Sequence, residues 1–182
     1  MKKILIILII FFFSTNAFAT LKQKIIKNLS EIENLNFDFE QNINGKIETG
    51  NCTIKYPKKI FCDYNLSNNK KLISNGKSIV IKTNSSFYKY PIQRTPLKHI
   101  LDKKFLINEI INLNERIVND KFINFKIIKN ENEINIFFDK KSYNLIGWQI
   151  LDIYQNLSIT YLFRIKKNQN LNKNLFNLPS VN

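Results

Sequence analysis

Segments in which apolar and polar residues alternate run through most of this chain. In "LNFDFEQNI", every second residue from Leu35 to Ile43 is apolar except Gln41. Successive side chains of a β-strand point to opposite faces, so this pattern predicts a strand with one face buried. Asn44-Gly45 and Asn75-Gly76 separate such segments and favour tight hairpin turns. The alternation therefore predicts antiparallel hairpins joined into one sheet.

Two regions interrupt this pattern with helical spacing. Apolar residues from Leu21 to Ile32 recur at intervals of three or four, with lysines and glutamates between them, which predicts an amphipathic helix. Residues 93–113 predict one or two more helices. Alternating segments return with "FINFKII", "EINIFFD", "NLIGWQILDIY" and "NLSITYLFRIKK". The predicted fold class is α+β, with one large, curved antiparallel sheet and a few helices.

The first 19 residues, "MKKILIILIIFFFSTNAFA", have the features of a secretory signal peptide. The apolar run from Ile4 to Phe13 is shorter than the roughly 20 residues that span a bilayer, and small residues precede the expected cleavage after Ala19. No cysteine follows to be acylated. We therefore expect one soluble exported domain, residues 20–182, located in the periplasm.

Cys52 and Cys62 are the two cysteines of the chain. In an oxidising compartment, a disulfide is favoured over a metal site or a redox pair. The two residues lie on segments joined by a turn at residues 57–59, and their even spacing places both side chains on one face of a hairpin. The sequence therefore predicts a cross-strand disulfide.

Charge and chemistry exclude several classes of function. The formal net charge is +14, or +12 without Lys2 and Lys3, but the lysines are dispersed and form no basic stripe with aromatic residues, so nucleic-acid binding is not expected. His99, the only histidine, has no partner at the spacing of a catalytic motif. We predict no enzyme activity, no metal site and no cofactor.

A wide antiparallel sheet must cover its apolar concave face or bind something with it. Two or three short helices are enough for a lid. An incompletely closed barrel with a movable helical cover is a natural container for an apolar ligand.

Several motifs, in order along the chain, resemble the periplasmic outer-membrane lipoprotein carrier family of Gram-negative bacteria. They are Phe39-x-Gln41, "GNCTIKYPKKIFCDY" from Gly50, "LISNGKSIVI" from Leu72, Thr95-Pro96-Leu97, "LDIYQNLSITYLF" from Leu151, and "LFNLP" from Leu175. The resemblance implies an unclosed β-barrel with a helical lid over a hydrophobic cavity. It also implies a monomeric carrier that takes acylated lipoproteins from an inner-membrane ABC transporter to an outer-membrane acceptor.

Strand parity assigns the candidate ligand-facing residues. Those on the sheet and in the predicted lid are Phe37, Phe39, Ile54, Tyr56, Ile60, Tyr64, Ile79, Ile81, Leu97, Ile100 and Leu101. Parity does not separate the wall of a cavity from an ordinary packed core, so each candidate has both interpretations.

The chain departs from the family at the residue before the hairpin proline. Many members have a basic residue there, which holds the lid by bonding helix carbonyls; here it is Tyr56, and the basic Lys55 faces the other side of the strand. A tyrosine hydroxyl has one hydrogen bond to donate, which contributes about 0.5 to 1.5 kcal/mol. We therefore expect a more loosely held lid.

Two further classes of function share this architecture. One is a sensor domain that binds lipid or lipoprotein without transporting it, although such proteins usually carry an additional domain. The other is an outer-membrane acceptor, but acceptors are lipid-anchored and the cysteine needed for acylation is missing. An exported enzyme ranks behind both.

Overall fold

A single antiparallel sheet of eleven strands forms the frame of the molecule in a computed structural model that describes residues 19–129, 132–152 and 154–180. The predicted signal peptide, except Ala19, lies outside these residues. The strands are β1 (Asn34–Ile43), β2 (Lys46–Lys55), β3 (Lys59–Tyr64), β4 (Lys71–Asn75), β5 (Ser78–Lys82), β6 (Phe87–Pro91), β7 (Arg116–Val118), β8 (Phe122–Lys129), β9 (Asn132–Asp139), β10 (Leu145–Leu151) and β11 (Leu157–Lys167).

The strand order shows that the sheet consists of two meanders joined in the middle. It runs β6-β5-β4-β3-β2-β1-β11-β10-β9-β8-β7, and every neighbouring pair is antiparallel. Pairing of β1 with β11 connects the two series, and β6 and β7 are the free edges. The sheet is not closed into a barrel, which confirms the predicted fold class.

Both predicted Asn-Gly turns are present. Asn44 and Gly45 connect β1 to β2 with φ angles of 48° and 90°, and Gly76 follows β4 with φ 96°. Positive φ at both residues of a two-residue loop is the geometry whose twist matches that of paired strands. These local signals set the register of the first hairpin, in which Ile43 pairs with Lys46.

The helices lie where helical spacing predicted them. They are α1 (Leu21–Ser30), α2 (Leu97–Ile100) and α3 (Lys103–Asn112), with a short 3-10 turn at Ile92–Arg94. A capping box starts α1, since the Thr20 hydroxyl accepts from the Gln23 backbone N–H at 3.2 Å and the Gln23 side chain accepts from the Thr20 N–H at 2.8 Å. None of the helices in the described residues has the length and apolarity needed to span a bilayer.

The main core lies between the helices and one face of the sheet. Ile25 and Leu29 of α1 and Leu106 and Ile110 of α3 belong to the same buried cluster as inward-facing strand residues such as Phe125. The helices thus cover part of the concave face. We call α2 and α3 together the lid.

Candidate ligand cavity

An apolar cavity of about 300 Å³ lies on the part of the concave face beside the lid. Residues from β1 to β5 and from β10 and β11 line it, and residues 95–97 contribute at the start of the lid. The larger apolar side chains in its wall include Phe39, Ile60, Leu72, Ile79, Ile81, Leu97, Trp148 and Ile150. The predominance of hydrocarbon in this wall suits an apolar ligand.

Six of the candidates assigned by parity line this cavity. They are Phe39, Ile60, Tyr64, Ile79, Ile81 and Leu97. The other five do not: Phe37, Ile54, Ile100 and Leu101 are fully buried in the main core, and Tyr56 packs against it.

Residues of equal parity separate in this way even within one strand. Phe37 and Phe39 are two positions apart on β1 and face the same side, yet only Phe39 borders the cavity. Phe37 and Trp148 lie edge-to-face with ring centroids 6.3 Å apart, and Phe39 and Tyr64 do so at 5.0 Å. All four rings belong to the buried cluster that includes the helices, but Phe37 alone of the four does not border the cavity. The concave face is thus filled at the Phe37 end of this pair and open beside Phe39.

The two cysteines form a disulfide that lies in the cavity wall. Cys52 of β2 and Cys62 of β3 are directly opposite in the ladder, with their Cα atoms 4.1 Å apart. By the loop-closure model, a ring this small stabilises the fold by about 2 to 3 kcal/mol. The bond fixes the hairpin that carries Ile60 and Tyr64 into the cavity.

Tyr56 occupies a different position from the one expected of it. It follows the end of β2, and its hydroxyl is buried with no hydrogen-bond partner among the described residues. The expected hydrogen bond to the lid is therefore absent, because the ring packs into the core and leaves no acceptor beside the oxygen. Burial raises the pKa of the Tyr56 hydroxyl far above its usual value, so the group stays neutral.

Lys103, in the first turn of α3, provides the link that Tyr56 lacks. Its ammonium donates to the carbonyl oxygens of Ser30 at 2.9 Å and Ile32 at 2.6 Å, at and just after the end of α1. Hydrogen bonds from charged donors are stronger than those from a neutral hydroxyl. No local pattern predicts this role, because it depends on the ends of two helices about 70 residues apart in the chain lying side by side.

A second polar link joins the lid to the β2–β3 turn. The Lys58 backbone N–H donates to the Leu101 carbonyl at 2.7 Å, and the Lys58 ammonium lies 3.2 Å from the Asp102 carboxylate. The lid is thus fixed at its α2–α3 junction by one turn of the sheet and at the start of α3 by Lys103.

A set of polar side chains in the cavity wall was not among the predicted site residues. Its members are Gln41, Glu48, Tyr64, Lys70, Ser158 and Thr160, of which Tyr64 alone was a candidate. A sequence signal existed, because Ser158 and Thr160 share the strand face of the buried Leu162. Polar residues at inward-facing positions of a strand indicate either a satisfied polar network or a ligand.

The described residues contain no group of three or more His, Cys, Asp or Glu side chains able to hold a metal ion. His99 in α2 is half-buried against the ring of Phe105, with the ring centroids 4.4 Å apart. Burial and the nearby Lys98 ammonium lower the pKa of its imidazole.

Comparison with known families gives a match over most of the chain. The profile of the family described as "Outer membrane lipoprotein carrier protein LolA" matches residues 30–179. A search of curated proteins found no match.

Solved structures match this chain at very low sequence identity. An uncharacterized conserved protein from Thermus thermophilus is 9% identical, with a TM-score of 0.51 over 88% of this chain and 92% of that one. A LolA superfamily protein from Nitrosomonas europaea is 6% identical, with a TM-score of 0.45 over 88% and 99%. MucB, in the MucA/MucB complex of Pseudomonas aeruginosa, is 8% identical, with a TM-score of 0.47 over 87% and 60%.

Proposed function

We propose, because this chain belongs to the LolA family of outer membrane lipoprotein carrier proteins, that it carries lipoproteins across the periplasm. Members of this family are binding or carrier proteins rather than enzymes, and they are periplasmic. In our proposal the chain receives acylated lipoproteins from an inner-membrane ABC transporter and delivers them to an outer-membrane acceptor. The observation that carries the proposal is the apolar cavity beside the lid of an unclosed sheet.

The energetics of acyl chains explain why such a carrier needs this cavity. Transfer of each methylene from an apolar environment to water costs about 0.8 kcal/mol, so a multiply acylated protein leaves a membrane unaided only very slowly. A cavity wall of isoleucine, leucine and aromatic side chains offers the chains an environment similar to the one they leave. We assign the contacts with the ligand to Phe39, Ile60, Tyr64, Ile79, Ile81 and Leu97.

The size of the cavity supports a role for lid movement. About 300 Å³ is at the lower end of the range of roughly 300 to 1,000 Å³ for small-molecule sites. A ligand with several long acyl chains therefore requires the lid to move off the core beneath it. Ile100 and Leu101, which are fully buried in that core, become available to the ligand in this open state.

A release assay tests the proposal. The processed protein, purified from a host that exports the full chain, is added to spheroplasts, and the soluble fraction is examined for lipoprotein bound to it. We expect acylated lipoprotein in a stable one-to-one complex. If the protein is folded and binds free acyl chains but releases no lipoprotein, the sensor interpretation replaces the carrier.

A matched pair of variants connects release to the cavity. Ile81 is a partly exposed residue of the cavity wall, and Ile47 is 49% exposed and outside it. We expect Ile81→Glu to reduce the amount of complex severalfold, because a carboxylate in the wall must lose water when acyl chains bind. Ile47→Glu is the control and should release as much lipoprotein as the unaltered protein. Equal loss in both variants would contradict a specific role for the cavity.

Tyr56→Phe is expected to leave ligand release nearly unchanged. Its hydroxyl has no hydrogen-bond partner among the described residues, so its removal breaks no contact with the lid and relieves a buried polar group. We expect a free energy of unfolding equal to or up to about 1 kcal/mol above that of the unaltered protein. Denaturant unfolding and the release assay measure the two effects. A large loss of release with normal stability would show that the hydroxyl holds the lid after all.

A further inference from the structure

Several polar side chains form part of a cavity wall whose surface is mostly apolar. We call this part the polar wall and define it as Gln41, Glu48, Tyr64, Lys70, Ser158 and Thr160. Its side chains come from β1, β2, β3 and β11 and from the connection between β3 and β4. The glutamate, serine and threonine are almost completely buried. These groups would not improve the binding of hydrocarbon alone, and burying polar atoms costs free energy unless they are hydrogen-bonded.

Gln41 is the centre of the polar wall. Its side-chain amide nitrogen donates to the Ser158 hydroxyl at 2.9 Å and to the Thr160 hydroxyl at 3.1 Å, and its oxygen accepts from the Tyr64 hydroxyl at 3.3 Å. Both hydroxyls of β11 therefore act as acceptors in this network. Within the described residues, neither has an acceptor for its own proton. The network leaves two hydrogen-bond donors at the cavity.

Glu48 balances the charge of the polar wall. Its carboxylate contacts the Lys70 ammonium closely and lies 2.8 Å from the more exposed Lys46 ammonium. Burial raises the pKa of this carboxyl, but the hydrogen bonds from the two lysines outweigh burial and hold it below its usual value, so Glu48 is ionised at neutral pH. Lys70 also lies over the ring of Tyr64, 4.2 Å from its centroid. The charge of this partly buried ammonium is thus neutralised, and a neutral ligand group fits beside it.

These donors match the chemistry of an acyl linkage. The carbonyl oxygen of an ester or amide accepts hydrogen bonds, whereas a hydrocarbon chain does not. Water can accept from the two hydroxyls while the cavity is empty, but a ligand that displaces this water must replace its hydrogen bonds or lose affinity. A ligand with a carbonyl group at the start of each chain meets both requirements.

We propose that the polar wall binds the carbonyl oxygens of acyl esters or amides through the hydroxyls of Ser158 and Thr160. This inference rests on the proposed function, since it places the chains of an acylated ligand in the apolar part of the same cavity. It adds that the protein recognises the acyl linkage and not the hydrocarbon alone. The chain direction is then fixed, with the linkage at the polar wall and the methyl end towards the lid.

A matched pair of ligands tests the proposal on the unaltered protein. Monodecanoylglycerol and the monodecyl ether of glycerol have the same head and chain length and differ in one carbonyl group. Each is used to displace a neutral naphthylamine dye from the processed full-length protein. We expect the ester to bind about three- to tenfold more tightly, which is the contribution of one hydrogen bond. Equal affinities would overturn the proposal.

Substitution of the two hydroxyls locates the effect. In Ser158→Ala/Thr160→Val we expect the ester and the ether to bind equally, with the affinity of the ether little changed. Ser85→Ala removes an exposed hydroxyl outside the cavity and should keep the difference. A difference that persists in the folded double variant would overturn the assignment to these residues. If the double variant does not fold, the comparison of ester and ether binding to the unaltered protein remains the test of the proposal.

The same assay separates this inference from the proposed function and identifies the source of the acyl group. If neither ligand displaces the dye, the cavity does not bind acyl chains and the proposed function fails with it. If both bind equally, the cavity function stands and the carbonyl subsite is wrong. If the ester binds more tightly, a second comparison identifies the source of the acyl group. A synthetic triacylated cysteinyl peptide and dipalmitoyl phosphatidylglycerol are used as competitors for the dye. Tighter binding of the peptide assigns the linkage to a lipoprotein, and tighter binding of the phospholipid assigns it to free lipid.

Discussion

Gly50→Ala is expected to destabilise the protein by more than about 3 kcal/mol, or to prevent folding. Gly50 lies on β2 between Phe39 of β1 and Tyr64 of β3. A Cβ atom added there would lie 2.2 Å from the Asp63 carbonyl oxygen and 2.8 Å from the ring of Phe39. The carbonyl belongs to the backbone of a paired strand, so it does not move without disrupting the β2–β3 ladder. Overpacking of flexible side chains alone typically costs about 1 to 3 kcal/mol.

The clash caused by Gly50→Ala also affects the cavity, because Phe39 is part of the cavity wall. Its ring is almost fully buried and meets Tyr64 edge-to-face, so displacement of the ring also displaces the polar wall. Denaturant unfolding of the exported protein measures the loss of stability. Gly45→Asn is the control, since Gly45 lies in a turn with φ 90° and nothing within 4 Å of an added Cβ, and asparagine tolerates positive φ. A Gly50→Ala protein as stable as this control would show that the strands separate easily here.

Lys103→Met is expected to weaken the attachment of the lid and speed the release of ligand. The substitution keeps the aliphatic chain and removes the ammonium that donates to the carbonyls of Ser30 and Ile32. A hydrogen bond from a charged group contributes about 1.5 to 3 kcal/mol. Loss of this attachment favours the open lid, and we expect ligand to leave the cavity about 10- to 100-fold faster.

Dissociation of a bound fluorescent fatty acid, followed by stopped flow, measures this rate. Lys104→Met is the matched control, because Lys104 is the next residue of α3 and its side chain is exposed. The two variants have the same net charge, so a general electrostatic effect would appear in both. If Lys103→Met releases ligand at the rate of the control while both are folded, the lid is held by the Lys58 contacts instead.

Local patterns in the sequence predicted much of the secondary structure. The alternation around Phe37 and Phe39, followed by Asn44-Gly45, predicted β1 and its turn to β2, and the spacing of Leu21, Ile25 and Leu29 predicted α1. These signals succeed because strand and helix periods, and the φ angles of a two-residue turn, are properties of neighbouring residues. The predicted α1 extended to Ile32, whereas the helix ends at Ser30. Ile32 is nevertheless buried, so its apolar character indicated burial and not helix.

The division of the concave face was not predictable from these patterns. Phe37 and Ile54 have the same apolar character and strand parity as residues that line the cavity, yet neither borders it. Ile100 and Leu101, at the end of α2, are buried in the core, whereas Leu97 at its start lines the cavity. The difference depends on where α1 and the lid dock. That position is set by contacts between segments far apart in sequence, such as Lys103 with Ser30.

The sequence by itself determined the two Asn-Gly turns, a resemblance to lipoprotein carriers in the order of their motifs, and most of the strands and helices, though not the edge strands β6 and β7. Only the tertiary structure decided which apolar side chains face a cavity, that Lys103 and not Tyr56 bonds carbonyls near the lid, and that Gln41, Ser158 and Thr160 form one network. The physical reason is that periodicity records which side of its own strand or helix a residue occupies. What lies opposite that side is decided when the β1–β11 pairing joins the two meanders and the helices cover part of their concave face.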